Sequence, residues 1–361
     1  MSAKTGTADL PLHYGSCPKW LFSRMVKLSR AITKIIVLEY GKDEFLCRLS
    51  NPFFFQAFGC VVAFDWHSSG LTTTLTAALK EAISPELGIA VLGGKGKASR
   101  KTTKEIDALA EKFSFSTKKL EELKYASRIT AKVDNAAVQD GFQLYHHSFF
   151  VSENGNWAVI QQGMNSSSHY ARRYHWLSGI KSFVVEPHTA VVCDIKTETL
   201  NMVAKESEEV RRASIDLINE NPTHLKKYFS YKNLRKYLHM QSEHQIDLSK
   251  HLSWKHLMKR FNKAYEQQPK TFEQLLAIRG IGPKSIRALA LLSNLIFGAE
   301  PSWKDPARYS FAHGGKDGTP YFVDRETYDK SIQLLEDGIN EAELGKNEKL
   351  EAIKRLKEFL K

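Results

Sequence analysis

Gln274-Leu275-Leu276-Ala277-Ile278-Arg279-Gly280-Ile281-Gly282-Pro283-Lys284-Ser285-Ile286-Arg287-Ala288-Leu289-Ala290 decides how the C-terminal half folds. An apolar helical segment (Leu275, Leu276, Ile278) runs into Gly280-Ile281-Gly282 and out into a second apolar helix (Ile286, Leu289, Leu291, Leu292). Paired glycines permit a turn too tight for residues with a Cβ, and they let main-chain N–H groups approach an anion. Ile281, between them, is expected to anchor the turn in the core. Lys284 and Arg287 fall on the first turn of the second helix, where unpaired N–H donors and the helix dipole favour phosphate. An ordinary αα-hairpin has the same outline, but here the whole Gly-Ile-Gly-Pro-Lys pattern is present.

That pattern resembles the helix-hairpin-helix DNA-binding motif, which implies phosphate contacts from Gly280, Gly282, Lys284 and Arg287. Composition points the same way. The 361 residues hold 52 Lys+Arg against 40 Asp+Glu, a net charge of +12. Such a bias favours a polyanionic partner through counterion release without identifying one. With 42% hydrophobic and 11% aromatic residues the chain is expected to be globular. Cys17, Cys47, Cys60 and Cys193 are scattered, so reduced thiols are expected in place of a zinc site or disulfide framework. No apolar run approaches the ~20 residues of a membrane span. The N-terminus lacks a signal-peptide core. A cytoplasmic or nucleoid-associated protein with no membrane partner is the expectation.

The first half reads as mixed α/β. Residues 18–39 and 71–83 have helical periodicity; 57–65 and 87–92 are apolar runs of strand length, consistent with a βαβ unit and a parallel strand pair. Residues 102–131 read as helical, 141–162 as a hairpin turning at Glu153-Asn154-Gly155-Asn156, and 183–193 as a strand pair interrupted by Pro187. After Lys205 the pattern is helical, over 206–219, 222–240, 253–267, 271–297 and 325–360. The expected architecture is an α/β domain with a mixed sheet over 1–204, followed by an all-α domain over 205–361 carrying the hairpin.

Several polar blocks could carry chemistry. Asp65-Trp66-His67-Ser68-Ser69-Gly70 follows an expected strand and precedes a helix, at the sheet edge where α/β proteins bind ligands. Asp65 and His67 are candidates for a divalent metal (Mg or Mn) or for acid–base work in a nuclease. The block resembles the first motif of the DHH phosphoesterases, with His67 where a second acidic residue belongs. A simple helix cap with a satisfied Asp–His pair is the structural alternative. Gly93-Gly94-Lys95-Gly96-Lys97-Ala98-Ser99-Arg100-Lys101 mixes glycines and cations, which suits backbone phosphates through Lys95, Lys97 and Arg100. His169-Tyr170-Ala171-Arg172-Arg173-Tyr174-His175-Trp176 interleaves cations with aromatics, so Arg172, Arg173 and His175 are candidates for gripping DNA or RNA. Gln161, Gln162 and Asn165 before it could read base edges.

Beyond the hairpin, Asp305 to Tyr321 is rich in Gly, Asp, His and Lys, and His313 and Lys316 join the candidate DNA contacts. The hairpin together with this segment also resembles the helix-hairpin-helix DNA glycosylases. That resemblance implies Lys284 as a Schiff-base nucleophile and Asp305, 21 residues further on (305 − 284), as the catalytic carboxylate. The family's usual Val-Asp-x-His is absent here. Taken together, the blocks Phe64–Gly70, Gly93–Lys101, Ala171–Trp176 and Asp305–Gly318 resemble, over nearly the full length, the archaeal and bacterial domain-of-unknown-function family 763. That family name implies no activity. The function expected from the sequence is DNA binding by an enzyme acting on DNA, either a repair-type nuclease or a glycosylase/abasic-site lyase. The alternative is a non-catalytic DNA- or RNA-binding module.

Overall fold

A computed structural model describes residues 17–62, 69–193, 195–229, 254–307, 333, 335–340, 345, 348–350 and 352–354. The chain opens with three consecutive helices, α1 (Lys19–Tyr40), α2 (Lys42–Ser50) and α3 (Pro52–Val61). Helix α1 buries Met25, Leu28, Ile32 and Ile36, spaced at three and four residues along one stripe. Helix α3 corrects the expectation of a strand over 57–65, because residues 57–61 are helical. Pro52 stands at its first turn, and Asn51 caps it by accepting from the amides of Phe53 (2.9 Å) and Phe54 (3.3 Å). Residues 53–61 of α3 are all buried, so its apolar residues cover every side and leave no 3.6-residue period to detect.

Helix α4 (Ser69–Ala82) leads to β1 (Ile89–Lys95). A 3-10 turn (Gly96–Lys101), α5 (Thr102–Asp107) and α6 (Thr117–Lys132) follow, and α6 runs into a π-helical turn over Val133–Ala137. Strands β2 (Val138–Gln139), β3 (Gln143–Ser152), β4 (Trp157–Asn165), β5 (Tyr170–Leu177), β6 (Ala190–Val192) and β7 (Leu200–Asn201) come next. The main sheet has the order β1-β3-β4-β5-β6, and each neighbouring pair is antiparallel. The expected βαβ unit and parallel pair are thus overturned: β1 pairs with β3, Ile89 opposite Ser152. The β3–β4 hairpin forms as expected. Val151 faces Trp157, and Gly155 takes the positive φ (81°) of the turn. Of residues 183–193, only 190–192 form a strand.

Alternation along the strands sends side chains to two different cores. Ile89, Val91, Phe150, Ala158 and Ile160 face α1–α4 together with Leu335, Ile339 and Ala352. Ala90, Leu92, Phe149, Val151, Val159, Tyr174 and Trp176 face the other way. On that side they pack with α6 and with α7 (Glu208–Asn219), α8 (Trp254–Gln267), α9 (Phe272–Ala277) and α10 (Pro283–Phe297). The result is helices, sheet, helices, and residues from both sides of position 204 share this second core. Among the described residues no helix is long and apolar enough to cross a membrane.

Candidate nucleic-acid interface

Helix α9 starts at Thr271, whose hydroxyl accepts from the Gln274 amide at 3.2 Å, and it buries Leu275 and Leu276. The chain then turns through Ile278–Gly282. Gly280 has φ +105°, a conformation that disfavours side chains, and it is exposed. Ile281 is 1% exposed and anchors the turn in the core, as its position predicts. Gly282 is extended and faces open space, since a Cβ there would meet no atom within 4 Å. Its carbonyl accepts from Ser285 (2.9 Å) and Ile286 (3.0 Å) to start α10. Among the described residues no acceptor pairs with the amides of Gly280 or Gly282. Arg279 and Lys284 are exposed beside them.

The underside of the turn is fixed. Lys132, at the end of α6, donates to the carbonyls of Leu276 (2.9 Å), Ile278 (2.9 Å) and Ile281 (2.5 Å). Burial lowers its pKa to about 8. Gln139 of β2 donates to Pro283 O (2.9 Å) and accepts from Arg287 Nε (2.8 Å). Arg287 is therefore a correction: it is buried, points inward and ties α10 to β2. Burial brings its pKa down to about 10.

Beside the hairpin lies a cavity of about 810 Å³, whose wall includes Ala277 and Arg279 of the turn. Arg100, from the loop after β1, and Arg128, on α6, complete a rim of three exposed arginines. Among the described residues no ion pair engages any of the three, and no Asp or Glu lines the cavity. Tyr125, Ile129, Leu144 and Tyr145 form its less polar sides. Glu273 stands behind Tyr125, accepting from its hydroxyl at 2.7 Å. The loop places Lys95, Lys97 and Arg100 at the surface as expected. Its first glycine departs from the expected anion nest: the Gly93 amide donates to Glu105 Oε2 at 2.6 Å.

The cavity floor is an ordered polar chain. Asp134 sits in the π-helical turn, fully buried, and accepts from Trp176 Nε1 (2.9 Å), Gln161 Nε2 (2.5 Å) and His188 Nε2. Because Gln161 turns its NH₂ toward that carboxylate, its Oε1 must face His147 Nδ1, 2.9 Å away. An acceptor there requires His147 to carry its proton on Nδ1, which leaves Nε2 as acceptor for the Ser127 hydroxyl at 2.9 Å. Burial keeps His147 neutral by lowering its pKa, and burial also raises the Asp134 pKa. Ser127 lines the cavity, and among the described residues no donor engages its hydroxyl oxygen.

The strand candidates are placed elsewhere. Arg172 is fully buried, bonded to Asp140 (2.9 Å), Ile195 O (2.8 Å) and Asp305 (2.7 Å), with Phe142 stacked 4.5 Å from its guanidinium. Arg173 lies on the opposite face, bonded to Gln56 (2.8 Å), Thr72 (3.2 Å) and His175 (2.9 Å). Among the described residues no carboxylate pairs with it, and burial drops the Arg173 pKa to about 9. His175 also contacts Leu49 O. All three are interior groups with protein partners, so they do not form the surface grip expected from the sequence. Asp305 is likewise committed: its carboxylate accepts from Arg172, from the Thr197 amide (2.7 Å) and from the Ala307 amide (2.8 Å). It is a structural acceptor for Arg172 and does not stand open opposite Lys284. Asp65, His67, His313 and Lys316 lie outside the described residues. Among the described residues no group of three or more His, Cys, Asp or Glu is placed to hold a metal.

Ser127, Arg128, Asp134, His147 and Arg279 were not singled out from the sequence. One signal was available: Tyr145-His146-His147-Ser148 puts paired histidines directly before the apolar run Phe149-Phe150-Val151, where buried polar groups must find partners. Fold and site together define a helix–sheet–helix protein with an exposed glycine hairpin beside an arginine-rimmed cavity. The chain belongs to the family described as protein of unknown function (DUF763), which it matches over residues 6–323. No curated protein and no solved structure matches it.

Proposed function

We propose that the chain binds DNA along the sugar–phosphate backbone, through the turn at 278–284. The observation that carries this reading is the pair of glycine amides at an exposed turn with no acceptor among the described residues, flanked by Arg279 and Lys284. Amides arranged this way at a helix start suit a phosphate oxygen. The net charge of +12 supplies the long-range attraction. Titrating a labelled duplex by fluorescence anisotropy across salt concentrations tests it. Lys284→Ala is expected to reduce the slope of log affinity against log salt by about 1. Gly282→Val should weaken binding to all sequences alike, because phosphate contacts carry no base information. Wild-type binding that ignores salt, or a Gly282→Val loss confined to one sequence, contradicts the proposal.

Catalysis on the bound strand is a second reading, favoured by a cavity opening beside the hairpin. In its nuclease form, divalent-metal-dependent nicking disappears in Asp65→Ala and His67→Ala but survives Lys284→Ala. In its lyase form, borohydride traps an adduct on abasic DNA that Lys284→Ala abolishes. Duplex binding with neither activity leaves a non-catalytic DNA- or RNA-binding module.

A further inference from the structure

We infer that the 810 Å³ cavity is a binding site for a single nucleotide, its phosphate held by the arginine rim and its base directed to the Ser127 floor. The inference rests on the nucleic-acid reading, since the nucleotide is taken to be an unstacked member of the strand at the hairpin. Three features fix the ligand's chemistry. Arg100, Arg128 and Arg279 are exposed cations without a described ion-pair partner, and no lining residue is acidic, so the outer end takes an anion. Tyr125, Tyr145, Ile129 and Leu144 offer flat and apolar sides to a ring.

The inner end is the most selective part. Asp134 orients Gln161, Gln161 sets the His147 tautomer, and His147 Nε2 accepts a hydrogen bond from the Ser127 hydroxyl. The Ser127 oxygen is thereby turned into an acceptor, matched to an exocyclic amine or a ring N–H. A nucleotide has these features in this order, an anion at one end, a planar ring and a hydrogen-bond donor on its far edge. The volume lies within the range of about 300–1,000 Å³ usual for small-molecule sites. Because Lys132 lines the cavity and also binds three hairpin carbonyls, the two sites share one rigid wall.

The experiment is calorimetric titration of the full chain with nucleoside 5′-monophosphates, the matching nucleosides and inorganic phosphate, with duplex binding measured in parallel. At least one monophosphate is expected to bind about tenfold or more tightly than either its nucleoside or inorganic phosphate. Arg128→Ala, a surface change that leaves the core intact, should weaken it about tenfold. Ser127→Ala should reduce the preference among bases while leaving the response to inorganic phosphate unchanged. Duplex binding without any monophosphate binding overturns the cavity site and leaves the hairpin reading standing. Monophosphate binding without duplex binding supports the site and removes the hairpin reading. Equal affinity for inorganic phosphate and all monophosphates reduces the cavity to an anion site and overturns the nucleotide assignment.

Discussion

Acidifying the protein from pH 7 to pH 5 should destabilise it, and His146 allows the effect to be isolated. Its ring is 1% exposed, with Nε2 3.0 Å from both Thr76 Oγ1 and Ser148 Oγ. Burial above all lowers its pKa from 6.5 to about 3. Below pH 6.5 the unfolded chain takes a proton there that the folded chain refuses, so stability is complete above that pH and is lost as pH falls toward 3. Each pH unit in that window costs about 1.4 kcal/mol, so reaching pH 5 costs about 2 kcal/mol from this residue alone. His147 and His175 are also lowered by burial and act in the same direction. Asp134 and Asp140, raised by burial, act in the opposite one. Comparing wild type with His146→Gln cancels these shared contributions, and glutamine can keep a hydrogen bond to Thr76 or Ser148. Urea unfolding at pH 7, 6 and 5 should show the wild type losing about 2 kcal/mol more than the variant. Parallel losses in the two proteins would refute the claim that His146 is held neutral by burial.

Two further outcomes are expected. Arg172→Met leaves Asp140 and Asp305 buried without their counter-charge, so it should cost about 3–5 kcal/mol in urea unfolding; an unchanged midpoint contradicts the buried triad. Lys132→Met keeps the stem but removes the donor to three hairpin carbonyls. It should cost on the order of 1–3 kcal/mol, raise amide exchange across 276–286 and weaken duplex binding; wild-type exchange rates there rule out a bracing role.

Local signals in the sequence were informative where the physics is local. Periodicity and a proline locate α1, and the Asn-Gly turn locates the β3–β4 hairpin. The glycine pair locates the α9–α10 turn, with Ile281 inward as expected. Pattern reading failed where burial is complete. Helix α3 has no exposed side, so its Phe-rich run has the composition of an interior strand, and only Asn51-Pro52 marks a helix start. The partner of β1 lies more than fifty residues further along, beyond any local signal, and the apolar run 57–61, which the βαβ reading pairs with 87–92, is helical. Arg172 and Arg173 look like surface cations because their partners, Asp140, Asp305, Gln56 and Thr72, are scattered along the chain. Successive strand residues also point to opposite faces, so the two arginines enter different cores. The floor of the cavity joins α6, the π-helical turn, β3 and β4, a convergence that only the folded sheet creates.

The lysine beneath the hairpin also shapes the electric field above it. A helix ends in carbonyl oxygens whose partial negative charge would repel a polyanion arriving at the adjoining loop. In this chain one ammonium group gathers the carbonyl of Leu276 at the helix end together with those of Ile278 and Ile281 in the turn, and offsets their charge from below. On the proposed reading, a strand approaching the tip would meet N–H dipoles with Arg279 and Lys284 beside them, the carbonyl charge at the end of α9 being offset by Lys132.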